Sequence, residues 1–130
     1  MSPPILVTAA IIEEDGKYLI TKRREDVILG GLWEFNGGKV KPGENLGLGL
    51  EREVFEELRI RIRVRDFFGS EDHVYDGGPH ILLIGFHCDR ISGKIQHIGV
   101  QDHRWVYPNE MRSYDFCPAD SFIIKKLNTV

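Results

Sequence analysis

The sequence lacks any apolar run near the ~20 residues that a membrane-spanning helix needs. We also expect no signal peptide, because residues 1–4 lead into strand-like sequence without separate basic and apolar regions. These two absences argue against a membrane partner and against export. We therefore expect a cytoplasmic protein.

Metal-ligand spacings of cysteine and histidine are also missing. The two cysteines, Cys88 and Cys117, form neither a CxxC motif nor a zinc-type spacing, so we expect free thiols. The histidines show no recurring spacing either. We expect them on the surface or in hydrogen bonds, and they are His73, His80, His87, His97 and His103.

A strong charge of one sign is absent, because the formal net charge is −3 at pH 7. This value argues against a broad nucleic-acid-binding surface but leaves room for a single bound nucleotide. No linker, repeat or low-complexity segment divides the 130 residues. Apolar residues make up 42% and charged residues 28%, which is usual for a folded protein. Residues 1–130 are therefore expected to form one domain.

Runs and alternations of apolar residues, separated by turn residues, predict a series of strands. They lie at 5–12, 17–23, 32–35, 60–68, 80–88 and 103–107, with an irregularity after Val64. Helical patterns follow at 46–58, from 108 onward and at 119–127. Strands flanked by two main helices imply an α+β fold in which a mixed sheet lies between helical layers.

The first main helix is predicted from Asn45, as its N-cap, to about Leu58. A core-facing stripe repeats every four residues and consists of Leu46, Leu50, Val54 and Leu58. Gly47 and Gly49 are unusual here, since glycine inside a helix costs ~0.8–1 kcal/mol relative to alanine. They indicate either close packing in the first turns or a helix that begins after Asn45.

The same helix carries three carboxylates on one side. Glu53, Glu56 and Glu57 stand at i, i+3 and i+4, so their side chains project together. Carboxylates ~4 Å apart repel by ~1 kcal/mol even in water, and by more near a protein surface. A hard divalent cation with oxygen ligands would remove this repulsion. Because the glycine-rich loop 37–44 precedes the helix, the arrangement points to metal-dependent phosphate chemistry.

Residues 38–60 closely resemble the Nudix box, G-x5-E-x7-R-E-U-x-E-E-x-G-U, in which U is aliphatic. Every charged position matches, and the matching residues are Gly38, Glu44, Arg52, Glu53, Val54, Glu56, Glu57 and Ile60. Arg59 departs from the pattern, because the box has a glycine there that usually ends the helix with positive φ. Arg59 either occupies the same turn at an energetic cost or changes how the helix ends.

Other segments resemble the MutT-like branch of this family. Residues 32–40 are similar to its W-E-F-P-G-G-K segment, although Asn36 replaces the proline and the loop should lose some rigidity. Residues 20–23 are similar to the segment that carries a phosphate-contacting arginine in that branch. Residues 105–106 and 118–120 match its C-terminal pattern, so the resemblance covers most of the chain.

This resemblance implies a Nudix fold and hydrolysis of a nucleoside diphosphate linked to another group. The implied cofactor is Mg²⁺ or Mn²⁺, which neutralises pyrophosphate charge and activates water. The implied metal ligands are the Gly38 carbonyl, Glu53, Glu56 and Glu57. Glu53 or Glu57 would also orient or deprotonate water. Arg52 completes the implied catalytic group, and it should fix the carboxylates by binding Glu44 and Glu56.

The implied substrate-binding residues are Arg23, Phe35, Lys39 and Asp120. Arg23 would contact phosphate, and Asp120 would accept a hydrogen bond from the base or share a proton with it. Phe35 suits the protein core as well as a base-stacking wall. Many MutT-like relatives have a glutamate at the position of Gly99, and Asp102 is the nearest carboxylate that could replace it.

The resemblance favours a (deoxy)nucleoside triphosphate as substrate, cleaved to the monophosphate and pyrophosphate. Asp120 resembles the residue of relatives that take cytidine-type or modified nucleotides. A dinucleoside polyphosphate or ADP-ribose is an alternative, supported only by Tyr75, while Pro79 is a poor match to the proline of ADP-ribose enzymes. A non-catalytic nucleotide sensor is the alternative of another class, although such proteins usually lose box glutamates. Monomer and homodimer remain open.

Overall fold

The computed structural model describes residues 3–129. Within this range, the strands are β1 (Ile5–Glu14), β2 (Lys17–Arg23), β3 (Trp33–Glu34), β4 (Gly37–Lys39), β5 (Arg61–Val74), β6 (His80–Ser92) and β7 (Val100–Val106). The α-helices are α1 (Leu46–Leu58) and α2 (Ser121–Leu127). Two 3-10 helices cover Pro108–Ser113 and Pro118–Asp120.

β1 is the central strand of a mixed sheet. It pairs in parallel with β6, from Ile5 opposite Ile81 to Ile12 opposite Cys88. Its other edge pairs antiparallel with β4, and the last residues of β1 pair with β2 to form a hairpin. β5 extends the sheet beyond β6, while β3 and β7 flank β2. The strand order places the glycine-rich β4 directly beside the sheet centre.

The two faces of β1 belong to two separate cores, because successive side chains of a strand point to opposite sides. Ala10 and Ile12 pack in the core that contains the α1 residues Leu50, Val54 and Leu58. Ala9, Ile11, Phe68, Met111 and Ile123 pack on the opposite face, beneath α2 and the 3-10 helices. The sheet therefore lies between helical layers, and the predicted α+β architecture is confirmed.

Helix α1 begins and ends where the sequence predicts. The Asn45 side chain accepts a hydrogen bond from the Leu48 N–H at 3.0 Å and caps the N-terminus. Arg59 follows the last turn in the left-handed region, with φ 59°, and its N–H reaches the Phe55 carbonyl. Arg59 thus occupies the turn of the box glycine, a conformation that costs ~1–2 kcal/mol for a residue with a side chain.

Several predicted strand and helix boundaries are wrong. The sequence predicts a loop at β4, but its main chain pairs with β1; a Cβ on Gly37 would lie 1.9 Å from the Thr8 carbonyl oxygen. β3 is shorter than 32–35, while β5 and β6 form a long hairpin. The segment from 108 is 3-10 helix, and α2 begins at Ser121 after a 3-10 turn.

The expected irregularity after Val64 is confirmed by a register shift between Val64 and Asp66. Cys88 and Cys117 are free, as expected, and both are buried. Within residues 3–129, no helix is both long and apolar enough to cross a membrane. The extent of the domain, 1–130, stays a prediction.

Candidate active site

One arginine organises the acidic side of α1. Arg52 donates to both carboxylate oxygens of Glu44, with Nε 2.7 Å from Oε2 and Nη2 3.0 Å from Oε1. Its Nη1 donates to Glu56 at 2.9 Å and to Glu53 at 3.2 Å. The two ion pairs predicted for Arg52 are therefore present, together with a third one to Glu53.

These charge-assisted bonds fix Glu44 and Arg52 as a unit. Hydrogen bonds from Arg52 and from the Lys41 N–H lower the pKa of Glu44 to about 2. The bond to Glu44 raises the pKa of Arg52 above its ordinary value, so both groups stay charged. A planar guanidinium held at both oxygens of Glu44 has little freedom to rotate. Arg52 can therefore hold Glu53 and Glu56 in place while neutralising part of their charge.

Glycine is required at two places where α1 and its loop meet. A Cβ on Gly38 would lie 2.5 Å from Glu53 Oε2, so any side chain here would displace this carboxylate. The Thr8 hydroxyl donates to the Gly38 carbonyl at 3.3 Å. A Cβ on Gly49 would lie 2.7 Å from Glu44 Oε1. Of the two readings of Gly49, close packing is therefore correct, because Glu44 folds over it.

Asn36 links Glu57 to the sheet by a hydrogen bond. The sequence does not indicate this role for Asn36. The buried amide of Asn36 donates to Glu57 Oε1 at 2.7 Å and to the Thr21 hydroxyl at 3.4 Å. Burial raises the pKa of Glu57, while the Asn36 bond lowers it and the Glu53 charge raises it further. Asn36 therefore orients the most protected carboxylate of the cluster.

The position where relatives have a further glutamate lies against Glu57. A Cβ on Gly99 would come within 2.8 Å of Glu57 Cγ. The backbone N–H of Gly99 donates to the Glu57 carbonyl at 3.1 Å. A glutamate here would require either this segment or the Glu57 side chain to shift. Asp102 instead accepts from the Arg104 guanidinium at 2.6 Å, and its role as a replacement base stays a prediction.

The donor set on this side of α1 suits a hard divalent cation. Glu53, Glu56 and Glu57 offer carboxylate oxygens from consecutive turns, and Gly38 brings backbone to within contact of Glu53. Oxygen ligands of this kind are those that Mg²⁺ and Mn²⁺ prefer. The assignment of these residues as metal ligands stays a prediction that the chemistry of the cluster supports.

A second group of polar side chains lies at the end of β2 and β3. Arg23 Nη1 donates to Glu34 Oε1 at 3.1 Å, and Arg23 Nε donates to the Ile28 carbonyl at 3.0 Å. Asp120 is buried and accepts a hydrogen bond from the Phe35 N–H at 2.9 Å. The structure thus brings together Arg23 and Asp120, and it adds Glu34, which sequence reasoning missed.

Two carboxyl groups of this cluster have unusual proton affinity. Burial raises the pKa of Glu34 to about 7, although the nearby Arg23 opposes the shift. Burial and the neighbouring Glu34 raise the pKa of Asp120 well above its ordinary value. Alternation with the buried Trp33 and Phe35 predicts an ordinary outward-facing Glu34, so no signal in the sequence indicates this role. The cluster can therefore both donate and accept protons near neutral pH.

The remaining two candidates for substrate contact differ in exposure. Phe35 is 2% exposed and stacks on Phe116 with ring centroids 5.7 Å apart, which places it in the core. Lys39 is exposed on β4, opposite Val7 and one residue beyond Gly38. A base contact by Phe35 and a phosphate contact by Lys39 both stay predictions.

The histidines differ in their hydrogen-bond partners. His80 lies beside Asp72 at 2.8 Å, which agrees with the expected hydrogen bonding. His97 and His103 are 2.8 Å apart, Nε2 to Nδ1, and Asp102 lies with them. The sequence analysis missed this group, because two histidines six residues apart with an aspartate beside the second match no standard metal motif.

The NUDIX domain family matches residues 7–126, which is most of the chain. The protein belongs to the Nudix family. Two curated relatives agree with this assignment over nearly their whole length. The CTP pyrophosphohydrolase of Escherichia coli (strain K12) is 40% identical over 116 residues, which are 89% of this chain and 85% of that protein. The 8-oxo-dGTP diphosphatase of Buchnera aphidicola subsp. Schizaphis graminum is 33% identical over 121 residues, covering 93% and 91%.

Solved Nudix structures show the same fold. The MutT protein of Methanosarcina mazei Go1 superposes with a TM-score of 0.85 at 25% identity, covering 97% of this chain and 94% of that one. The chain is therefore a Nudix protein of the MutT-like kind. Divalent metal is general in this family, and the oxygen donors of α1 fit such a cation.

Proposed function

We propose that this Nudix protein hydrolyses a nucleoside triphosphate, of cytidine type or modified, to the monophosphate and pyrophosphate. The observation that carries the proposal is the acidic side of α1, where the Arg52–Glu44 pair holds Glu53 and Glu56 beside Gly38. All charged positions of the Nudix box are retained in this arrangement. A binding module without catalysis would have no need for it.

The names of the relatives support a nucleoside triphosphate substrate. A protein named CTP pyrophosphohydrolase is 40% identical to this chain, and one named 8-oxo-dGTP diphosphatase is 33% identical. Both alignments include the box on α1, because each covers about nine-tenths of the chain. These similarities favour cytidine-type and modified nucleotides over other pyrophosphates.

Mg²⁺ is the cofactor that we propose, with Mn²⁺ as the alternative, and Glu53, Glu56, Glu57 and the Gly38 carbonyl would hold it. Such an ion neutralises pyrophosphate charge and lowers the pKa of a bound water. Asn36 holds Glu57 through Oε1, which leaves Oε2 to orient water or take up its proton. The Asn36 bond would therefore fix the orientation of the carboxylate that acts on the water.

The cluster at the end of β2 and β3 would bind the base and the phosphates nearest to it. A protonated carboxyl presents an O–H donor beside a carbonyl acceptor. Cytosine presents a ring-nitrogen acceptor beside an amine donor, so a neutral Asp120 or Glu34 would complement its edge. The raised pKa of both groups supports this pairing. Arg23 would exchange part of its contact with Glu34 for phosphate oxygen.

The first test is product analysis with Mg²⁺ over a panel of ribo- and deoxynucleoside triphosphates, oxidised and methylated nucleotides, ADP-ribose and dinucleoside polyphosphates. We expect a monophosphate and pyrophosphate from cytidine-type or modified triphosphates. Turnover of ADP-ribose or dinucleoside polyphosphates alone would contradict the substrate class while keeping the site. Saturable binding without turnover would favour the nucleotide sensor.

The carboxylate assignment is tested by Glu57→Gln and Glu56→Gln in the same assay. Each variant keeps the size of the side chain, so the fold should persist while turnover falls by about 10² or more. Glu71→Gln is the matched control, because Glu71 is exposed on β5. Unchanged turnover in both α1 variants would rule out the proposed metal ligands.

A further inference from the structure

Three side chains outside the glutamate cluster offer ligand atoms to one point. They are His97 in the connection between β6 and β7, and Asp102 and His103 in β7. One ligand atom from each residue lies within 4.8 Å of the other two. The Nε2 atom of His97 and the Nδ1 atom of His103 are 2.8 Å apart.

Main-chain hydrogen bonds fix both segments that carry this group. The connection between β6 and β7 is attached to the end of α1. The Gln96 N–H donates to the Leu58 carbonyl, and the Ile98 N–H donates to the Glu57 carbonyl. β7 is fixed by its pairing with β2, in which His103 lies opposite Thr21. The three ligands therefore come from two anchored segments rather than from one mobile loop.

We propose that His97, Asp102 and His103 form a binding site for a transition-metal cation of the Zn²⁺ or Co²⁺ class. Imidazole nitrogen suits these ions, whereas Mg²⁺ prefers oxygen and keeps its water. The ligand set differs in kind from the all-oxygen set of α1. The imidazole site would therefore prefer Zn²⁺ or Co²⁺ over Mg²⁺, whereas the oxygen site also accepts Mg²⁺.

The geometry is close to what such an ion needs. Zn–N bonds of about 2.0–2.1 Å in a tetrahedron separate two nitrogens by roughly 3.3 Å. The two imidazole nitrogens must part by about half an ångström from their 2.8 Å contact, and the shared proton must move to an outward-facing nitrogen. Three protein ligands would leave a fourth position open to water or another ligand.

Asp102 can take part although Arg104 binds it. Arg104 Nη1 lies 2.6 Å from Asp102 Oδ1, and the His103 N–H donates to the same oxygen at 2.8 Å. These two bonds hold the carboxylate beside the imidazoles. The Arg104 guanidinium also lies 5.8 Å from the centre of the Trp33 ring, so it has a second partner when a cation approaches.

The site does not depend on the identity of the nucleotide substrate, so it can be tested without turnover. The probe is Co²⁺, followed by visible absorbance and by calorimetry with Zn²⁺, on the full chain in excess Mg²⁺. We expect one ion to bind with a Kd below about 100 µM and a spectrum typical of nitrogen ligands. His97→Ala and His103→Ala should each weaken binding by at least about tenfold.

Two control variants distinguish this site from metal binding at another histidine or at the α1 glutamates. His80→Ala should not change Co²⁺ binding, because His80 is paired with Asp72 on the β5–β6 hairpin. Glu56→Gln should also retain it, since Glu56 belongs to α1. Circular dichroism checks that each variant is folded. Absence of Co²⁺ and Zn²⁺ binding in the wild-type chain, or equal binding by His97→Ala, His103→Ala and wild type, would overturn the proposal.

Discussion

Asn36 connects the acidic side of α1 to the sheet through a single buried amide. A proline at this position would restrict the loop through its ring. The presence of asparagine instead therefore predicts a more flexible loop. The structure shows instead that the Asn36 side chain bonds to Glu57 and Thr21, on two different elements. Hydrogen bonds therefore compensate for the missing ring, and they do so at a carboxylate of the proposed site.

Glu34 should make the stability of the protein depend on pH. Its pKa is raised from 4.5 to about 7 by burial, so the folded state binds more protons than the unfolded state between these values. The free energy of unfolding should therefore fall as pH rises through this window. Glu34→Gln removes this titration. The free energy of unfolding of the variant, minus that of wild type, should therefore be about 1–3 kcal/mol larger at pH 8 than at pH 4.

Urea unfolding of Glu34→Gln and wild type at both pH values measures this difference. Glu71→Gln serves as the control, because Glu71 is exposed on β5 and lies outside the cluster of Arg23, Glu34 and Asp120. The same stability difference for Glu34→Gln at pH 4 and pH 8 would contradict the raised pKa.

Asp120 should influence which base is accepted rather than how much metal is needed. Asp120→Asn keeps the shape and an oxygen for the Phe35 N–H, but it removes the exchangeable carboxyl proton. We expect the ratio of kcat/KM between cytidine-type and other triphosphates to change by about tenfold or more. The Mg²⁺ dependence should stay as in wild type. A preserved nucleotide profile would exclude Asp120 from the base site.

At the scale of the element, α1 has two glycines with different consequences. Gly49 allows Glu44 to fold back onto Arg52, whereas a Cβ on Gly47 would make only ordinary contacts, at 3.5 Å or more. Gly49→Ala should displace Glu44 and lower turnover by about 10–100-fold, as is typical when groups that position metal ligands are lost. Gly47→Ala should keep turnover and gain up to ~1 kcal/mol of stability from helix propensity.

Steady-state kinetics and thermal unfolding of the two variants give a matched comparison within one helix. We expect Gly49→Ala to lose activity and Gly47→Ala to gain stability. Equal effects of the two substitutions on turnover would show that the approach of Glu44 to α1 has no functional role.

The sequence predicts α1 well and β4 poorly, for physical reasons. A four-residue apolar repeat and an N-capping asparagine are local signals, and they locate the helix from Leu46 to Leu58. β4 contains Gly37 and Gly38 and has no apolar alternation, so only its pairing with β1 makes it a strand. His97 and His103 are only six residues apart, but their contact depends on how the chain turns into β7, which no spacing rule predicts.

At the scale of the whole molecule, divalent metal should stabilise the fold. The three carboxylates of α1 repel one another, and Arg52 compensates only part of their charge. Mg²⁺ that binds the folded state alone adds about 2.7 kcal/mol at a concentration of 100 Kd. We therefore expect Mg²⁺ to raise the Tm of wild type by several degrees. EDTA should lower the Tm to its metal-free value without unfolding the protein at room temperature.

Thermal unfolding with and without Mg²⁺, at matched ionic strength, measures this effect. Glu53→Gln should lose most of the Mg²⁺-dependent change in Tm, while Glu71→Gln should keep it. An equal Mg²⁺ response in Glu53→Gln and wild type would place the stabilising ion elsewhere.

Much of the overall arrangement follows from the sequence, because alternation and the helical repeat determine which faces are buried. The layered sheet and the acidic side of α1 could be predicted in this way. The roles of Glu34 and Asn36 could not, since each depends on burial and on a partner far along the chain. Their chemistry exists only when the sheet is assembled.

The position of β1 at the sheet centre also has a consequence for how the protein folds. Its parallel partner is β6, so the centre of the sheet forms only when Ile5 pairs with the distant Ile81. Contacts between such distant segments slow folding, because a long loop loses entropy before the pairing stabilises it. During synthesis, one edge of β1 therefore stays unpaired until β6 has been made. An unpaired strand edge of this kind is exposed to chaperones and to aggregation.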